Sequence, residues 1–315
     1  MKILVTGGCG FIGCNFVKLI MGKYKDYNIV VVDCLTYAGS LKNIEIFQKN
    51  SHFKFIKANI CDKHTMDNIF NNEKFDYVVN FAAETSVDKS FLNPNLFFES
   101  NVLGTLNLLD LSRKYNIKRF HQISTDEVYG DLKKEKKISF KEKDSLNPTN
   151  PYSYSKACAD NYVLMYSKIY DLDCTISRCS NNYGPHQFVE KLVPLVISRA
   201  KNNYKIPLYG KGKNERDWIF VYDHCTAIEK ILFNGKKGNI YNISSGVIKT
   251  NIDVVTNILK IMKKPNTLIS SVKGRLVNDS KYALNTHKIR HDLGWKPMVD
   301  YKTGIKETID FYLSK

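Results

Sequence analysis

The stretch that most restricts how this chain can fold is its beginning. Lys2 to Thr6 is a short, apolar, β-rich run, and Gly7-Gly-Cys-Gly-Phe-Ile-Gly13 follows at once. Glycines at 7, 10 and 13 are a weak signal alone. Placed after a strand and before a helix reaching to about residue 21, they fit the dinucleotide fingerprint. Small residues there let the backbone approach a pyrophosphate, whose charge meets the helix N-terminus. A second strand, 28–32, ends in Asp33, about 20 residues after Gly13. A carboxylate at that point accepts hydrogen bonds from an adenosine ribose and repels a 2′-phosphate, so NAD is favoured over NADP.

The following segments keep alternating between the two periods. Residues 53–60 read as a third strand, 62–70 as a helix, and 77–82 as a fourth strand, nearly all apolar as a strand covered on both faces should be. A long amphipathic helix is expected over 96–115 and a fifth strand over 117–123. Pro148 and Pro151 mark the start of a helix over 152–170, and 173–178 reads as a sixth strand. The alternation predicts an α/β fold with a Rossmann-type, doubly wound parallel sheet. Ligands of such sheets bind at the carboxyl ends of the strands, where Gly7, Asp33, Ala82, Ala83 and Ser124 fall. Beyond 178 the elements shorten and the loops lengthen. Residues 1–178 are therefore expected to form mainly the dinucleotide-binding part. Residues 179–315 should form mainly a smaller C-terminal substrate-binding lobe, with the chain crossing between the two.

Composition removes several function classes. The 315 residues are 43% hydrophobic, an ordinary share for a globular protein with a sizeable core. No apolar run approaches the ~20 residues of a membrane span, and Met1-Lys2 leads straight into a strand rather than a signal peptide. The eight cysteines are scattered without C-x-x-C pairs, which suggests free thiols in a reducing, cytoplasmic setting and no metal site. The formal net charge of +16 is spread along the chain; only 133–137 is dense, and it reads as an exposed loop. We therefore expect neither a nucleic-acid nor a membrane partner. An anionic small substrate benefits from the same field.

The chemistry-bearing residues cluster in two further stretches. Ser124-Thr-Asp-Glu-Val-Tyr-Gly130 follows the apolar run 120–123 and places Asp126 and Glu127 where a strand should end. Tyr152-Ser-Tyr-Ser-Lys156 puts a phenol and an ammonium on one face of a helix, at i and i+4. An acid pair at a strand end is usually only solvated, and Tyr-x-x-x-Lys is common by chance. Beside the Gly-rich turn they describe a nicotinamide site with an additional acid and base.

These motifs, with Asp33-x-Leu35-Thr36-Tyr37-Ala38-Gly39, Ala82-Ala83-Glu84, Arg178-Cys-Ser-Asn-Asn-Tyr-Gly-Pro185 and Arg216-Asp-Trp218, span nearly the whole chain. Together they resemble the extended short-chain dehydrogenase/reductases, and among them the nucleoside-diphosphate-glucose 4,6-dehydratases; Thr125-Asp126-Glu127 is the most diagnostic triplet. The resemblance implies that Tyr152, its pKa lowered by Lys156, takes the proton of the sugar 4-hydroxyl while hydride passes to NAD. It implies Glu127 as the base at C5, Asp126 as the acid for the departing 6-hydroxyl, and Thr125 and Ser124 as groups that orient the 4-oxygen. Cofactor contacts are implied at Gly7, Gly10, Phe11, Ile12, Gly13, Asp33, Leu35, Thr36, Asn59, Ile60, Phe81, Ala82, Ala83, Ser100, Ser124, Tyr152, Lys156 and Asn182. Sugar-nucleotide contacts are implied at Thr85, Thr125, Asn181, Lys191, Leu192, Arg216, Asn251, Arg275 and Asn278, with Arg216 and Arg275 as diphosphate clamps. A homodimer through a four-helix bundle of the helices 96–115 and 152–170 is also implied.

Departures bear on the nucleotide base. Ser86 and Asn278 stand where bacterial enzymes acting on the thymidine nucleotide usually carry His, and Arg275-Leu-Val-Asn278-Asp279 is more similar to eukaryotic UDP-glucose 4,6-dehydratases. UDP-glucose is thus favoured, with dTDP-glucose next. Asn59 replaces an Asp that often meets the adenine amino group. A 4-epimerase or UDP-glucuronate decarboxylase of the same fold remains an alternative, although epimerases lack the acid pair and decarboxylases usually keep only the Glu. A non-catalytic NAD-binding regulator would commonly have lost Thr125, Tyr152 or Lys156.

Overall fold

A computed structural model describes residues 1–133, 137–272 and 279–314. Its strands are β1 (Lys2–Thr6), β2 (Asn28–Asp33), β3 (Phe53–Lys57), β4 (Tyr77–Asn80), β5 (Arg119–Thr125), β6 (Cys174–Cys179), β7 (Asn181–Tyr183), β8 (Ile206–Tyr209), β9 (Glu215–Phe220), β10 (Asn239–Ile243), β11 (Ile248–Thr250) and β12 (Ile269–Val272). Seven of them form one sheet in the order β10-β6-β5-β4-β1-β2-β3, every neighbouring pair parallel. The order reverses between β1 and β4. That opens the crevice at the carboxyl ends in which doubly wound sheets hold their ligands.

Alternation within each strand feeds two separate cores. Ile3, Val5, Ile29, Val31 and Val79 join the helices Phe11–Lys23 and Val221–Asn234 on one face. Leu4, Val30, Val32, Val78, Phe120 and Ile176 join Lys63–Glu73, Gly104–Lys114 and Pro151–Ile169 on the other. With both faces buried, strands such as Ile3-Leu4-Val5 read as unbroken apolar runs, each side chain contributing ~1.5–3 kcal/mol.

The element boundaries differ from the sequence expectation where side chains redirect the backbone. β3 stops at Lys57 rather than 60, because Asn59 turns the chain by accepting the Cys61 N–H at 2.9 Å. The expected helix 96–115 starts earlier, at Pro94, behind the cap Asn93, and contains a π-helical turn, Glu99–Leu103, before continuing as Gly104–Lys114. Within that turn the buried Asn101 brackets the Glu84 backbone, donating to its carbonyl and accepting from its N–H. β5 runs 119–125 rather than 117–123, so Ser124 and Thr125 are still strand and Asp126 opens a 3₁₀ turn, Asp126–Tyr129.

The C-terminal half does more than form a lobe. β10 pairs with β6 and completes the main sheet, and Val221–Asn234 packs on Phe11–Lys23. The remainder has its own core: Val193, Val196 and Ile197 meet Trp218, Phe220, Val254, Val255, Ile258, Ile305 and Ile309. It carries the sheets β11-β9-β7 and β12-β8 beside the carboxyl ends of the main sheet.

Candidate functional site

Two cavities meet above those carboxyl ends and share Thr85, Glu127, Asn181, Glu190 and Lys191 as walls. The first is floored by the Gly-rich turn. Gly7 has φ +68°, and a Cβ there would lie 2.6 Å from the Ala82 backbone N, so the turn fits only as glycine. Asp33, at the end of β2, accepts from the Cys9 N–H at 3.0 Å and the Leu35 N–H at 2.8 Å. Burial pushes its carboxyl up and those two donors pull it back.

Gly7, Gly10, Phe11, Ile12, Gly13, Asp33, Thr36, Asn59, Ile60, Phe81, Ala82, Ala83, Ser100, Ser124, Tyr152, Lys156 and Asn182 all line this first cavity. Leu35 does not. Its side chain packs on the core under β2, and its backbone caps Asp33.

At the junction of the cavities lies the Thr125-Asp126-Glu127 corner. β5 delivers Thr125, whose Oγ1 accepts from the Glu127 N–H at 3.3 Å and so starts the 3₁₀ turn. Asp126 is buried, with Oδ1 3.3 Å from the Thr125 hydroxyl and Oδ2 without a hydrogen-bond partner among the described residues. Its pKa is pushed well above the ordinary carboxyl range, by burial first, then by the charges of Glu127 and Asp217, against the pull of Arg216. Glu127 is half-buried and also raised by burial. It has more to offset that: Arg216, the Asn150 amide at 3.3 Å and Lys191. The two carboxyls are therefore pushed apart in acidity, Asp126 favouring the protonated form more strongly.

Tyr152 and Lys156 come from the first turns of Pro151–Ile169, one turn apart, both nearly buried. The expectation that Lys156 lowers the Tyr152 pKa is not met by the protein groups. Burial first, then the Glu127 charge, raise the phenol well above its ordinary value, and the Thr125 hydrogen bond opposes them. The Lys156 ammonium is turned to the Ile123 carbonyl, 2.6 Å away, and burial lowers its own pKa.

The second cavity is lined by Thr85, Asn181, Lys191, Leu192, Arg216 and Asn251. Thr125 faces the first cavity instead. Arg275 and Asn278 lie outside the described residues. The Arg216 guanidinium donates to the carbonyls of Glu215 and Asp279 and stacks 4.5 Å from the Tyr282 ring centroid. Lys191 Nζ donates to the Thr85 carbonyl at 3.1 Å. Residues that sequence reasoning missed here include Asn150, Glu190, Pro207, Tyr209 and Tyr282. Only Asn150 had a legible signal: an Asn directly before a Pro is a helix N-cap followed by N1. The others arrive from separate loops and strands. Among the described residues no cluster could hold a metal ion, and no helix is long and apolar enough to cross a membrane.

Comparison with known proteins agrees with this geometry. Residues 4–308 match the GDP-mannose 4,6 dehydratase family. A dTDP-glucose 4,6-dehydratase of Escherichia coli is 41% identical over 341 residues, covering 100% of this chain and 94% of the relative. The chain belongs to the nucleotide-sugar 4,6-dehydratases of the extended short-chain dehydrogenase/reductase family. The crystal structure of a dTDP-glucose 4,6-dehydratase from Bacillus anthracis in complex with NAD superposes with a TM-score of 0.93 at 41% identity, covering 100% of this chain and 97% of that one. A dTDP-glucose 4,6-dehydratase from Streptomyces venezuelae, also with NAD bound, reaches 0.96 at 36% identity, covering 100% and 98%.

Proposed function

We propose that this protein removes water from a nucleoside-diphosphate-glucose, giving the 4-keto-6-deoxy sugar nucleotide, with NAD held in the first cavity and recycled. The observation that carries the reading is the Asp126–Glu127 pair at the junction of the two cavities, beside Thr125, Tyr152 and Lys156. The glycine floor, the Asp33 carboxylate and the absence, among the described cavity walls, of a cation next to it all suit NAD.

NAD bound there supplies the hydride acceptor for C4, the hydride returned to C6 and, in its oxidised form, a positive charge that favours phenolate. Tyr152 accepts the proton of the 4-hydroxyl while Thr125 orients that oxygen. The new 4-keto group acidifies C5, and Glu127 takes the C5 proton. Asp126 gives its proton to the 6-hydroxyl, which leaves as water as the C5–C6 double bond forms. Once C6 has received hydride, the proton held at Glu127 returns to C5. One water is lost and the cofactor ends as it began; Tyr152 gives up the 4-hydroxyl proton to solvent and Asp126 takes one back, which resets both groups.

dTDP-glucose is the favoured substrate. Relatives at about 41% identity include dTDP-glucose 4,6-dehydratases, and the 275–279 run that favoured UDP-glucose lies largely outside the described residues. The test is to incubate the protein with each nucleotide sugar and follow the alkali-induced absorbance of a 4-keto product. Turnover of dTDP-glucose without added NAD is expected. An epimer that keeps its 6-hydroxyl would overturn the proposal in favour of a 4-epimerase.

We further propose a cytoplasmic homodimer. The helices around 94–114 and 151–169 leave Leu96, Phe98, Leu103, Tyr154 and Ile169 exposed, which a bundle with a second copy would cover. The cysteines among the described residues are free thiols, which suits a reducing compartment.

A further inference from the structure

We propose that Asn150 is a positioning residue of the dehydration: one amide both caps the helix that carries Tyr152 and Lys156 and holds Glu127 as a carboxylate. This rests on the reading of Glu127 as the base at C5.

The orientation of the amide is settled by its neighbours. The Ser153 backbone N–H, which can only donate, lies 2.9 Å from one terminal atom, so that atom is Oδ1. The other is therefore Nδ2, and it faces Glu127 Oε2 at 3.3 Å. The Ser153 hydroxyl accepts from the Asn150 N–H at 3.2 Å, closing a capping box ahead of Pro151. Asn150 is 4% exposed and lines the substrate cavity. The segment leading to it is clamped to the catalytic corner. The Asn147 N–H donates to the Val128 carbonyl at 3.0 Å, and Gly130, with φ +82°, meets the Asn147 carbonyl where a Cβ would otherwise sit.

Residue choice follows from the two tasks together. Asn, Asp and Ser cap helices about equally well. Ser is too short to reach Glu127 as well, and Asp would place a second negative charge against it. The cap alone accepts any of the three; the Glu127 contact selects Asn.

The electrostatic surroundings give the contact a definite sign. Arg216 from β9 and Lys191 ahead of the 192–201 helix favour the Glu127 carboxylate. Asp279 opposes it, and the protonated Asp126 on the same turn and the Tyr152 and Tyr282 phenols face it as neutral groups. A hydrogen bond donated to the charged form lowers the pH at which that form takes up a proton. Removing the Asn150 donor therefore raises that pH, and the base is lost earlier on acidification.

The test compares Asn150→Ser, Asn150→Asp, Ser153→Ala and Glu127→Gln as NAD-loaded full chains. Melting temperature and the pH dependence of solvent-deuterium incorporation at C5 are measured for each. Asn150→Ser should fold as the parent does, and on the acid side of the profile its incorporation should fall about 10- to 100-fold, the worth of one hydrogen bond to a charged group. Asn150→Asp should move the acid limb further toward neutral pH. Ser153→Ala should lower the melting temperature and leave the limb in place. The proposal is overturned if neither Asn150 variant moves the limb, if Ser153→Ala moves it as far as Asn150→Ser, or if both Asn150 variants fail to fold, which makes the residue purely structural. Glu127→Gln separates the two readings. If it still exchanges C5, the assignment of the base is wrong. If it does not exchange while the Asn150 limb stays put, only the role of Asn150 falls.

Discussion

Replacing Asp126 by Asn separates the chemistry of this residue from its contribution to folding. The carboxyl is 3% exposed, and burial together with Glu127 and Asp217 holds its pKa well above the ordinary range. At neutral pH it therefore behaves as a neutral acid, which an amide imitates in shape but not in proton donation. A positioned acid is worth typically ~10²–10⁴-fold, or about 3 to 5 kcal/mol of barrier, and turnover should fall by that factor. Oxidation at C4 depends on Thr125, Tyr152 and Lys156, so the variant should still reduce bound nicotinamide when given substrate. Folding should follow a different course. A raised acid pKa means that the native state holds a proton the unfolded chain gives up. The stabilisation is complete below the unfolded value of about 4 and is lost as pH rises toward the folded one. The Asp126→Asn chain carries no such loss, so relative to the parent it should gain stability as pH rises above about 4. The new amide nitrogen takes the place of Oδ2, which has no partner among the described residues, an orphan donor for an orphan hydroxyl there, which limits any offset to ~1–3 kcal/mol. The assays are alkali-developed product, absorbance of reduced nicotinamide and thermal melts across pH, with Tyr152→Phe as the control that should give neither product nor reduced cofactor. Turnover within about tenfold of the parent would refute the acid role. A melting-temperature deficit that grows with pH would refute the buried-neutral reading.

Gly7→Ala should cost more than about 2 kcal/mol, because φ +68° is unfavourable for alanine and the new methyl would sit 2.6 Å from the Ala82 backbone N. Thermal melting and the NAD released on denaturation should fall together; a variant that melts like the parent would contradict the close approach. The proposed dimer predicts twice the chain mass by light scattering at micromolar concentration, and Phe98→Glu, at a half-exposed position in the expected bundle, should shift the mass toward the monomer.

Local physics made much of this protein legible. Lys2–Thr6 was readable to the residue because a strand buried on both faces is an uninterrupted apolar run. The Gly7-to-Gly13 turn and Asp33 follow from short-range geometry, so their spacing along the chain carries the cofactor cavity. Asp126–Glu127 and Tyr152–Lys156 were legible as residue types at a strand end and on a helix face. Boundaries were less so. The π-turn at Glu99–Leu103 goes with Asn101 bracketing the Glu84 backbone, a contact 17 residues back that no window around 96–115 contains.

The acidities and the substrate wall were decided only by tertiary structure. Sequence brings Asp126 and Glu127 side by side but says nothing of Asp217 pressing on one, or of Arg216 and Asn150 supporting the other. It suggested that Lys156 would tune Tyr152, yet the folded chain turns that ammonium to the Ile123 carbonyl and leaves the phenol above its ordinary pKa. Nor does it show that β10, far along the chain from β6, returns to finish the main sheet, or that Asn150 spans a helix cap and a catalytic carboxylate. The division has one cause. Propensity, periodicity and turn geometry act between residues a few positions apart and are written in order along the chain. Burial and charge act through space, between groups that only the completed fold brings together.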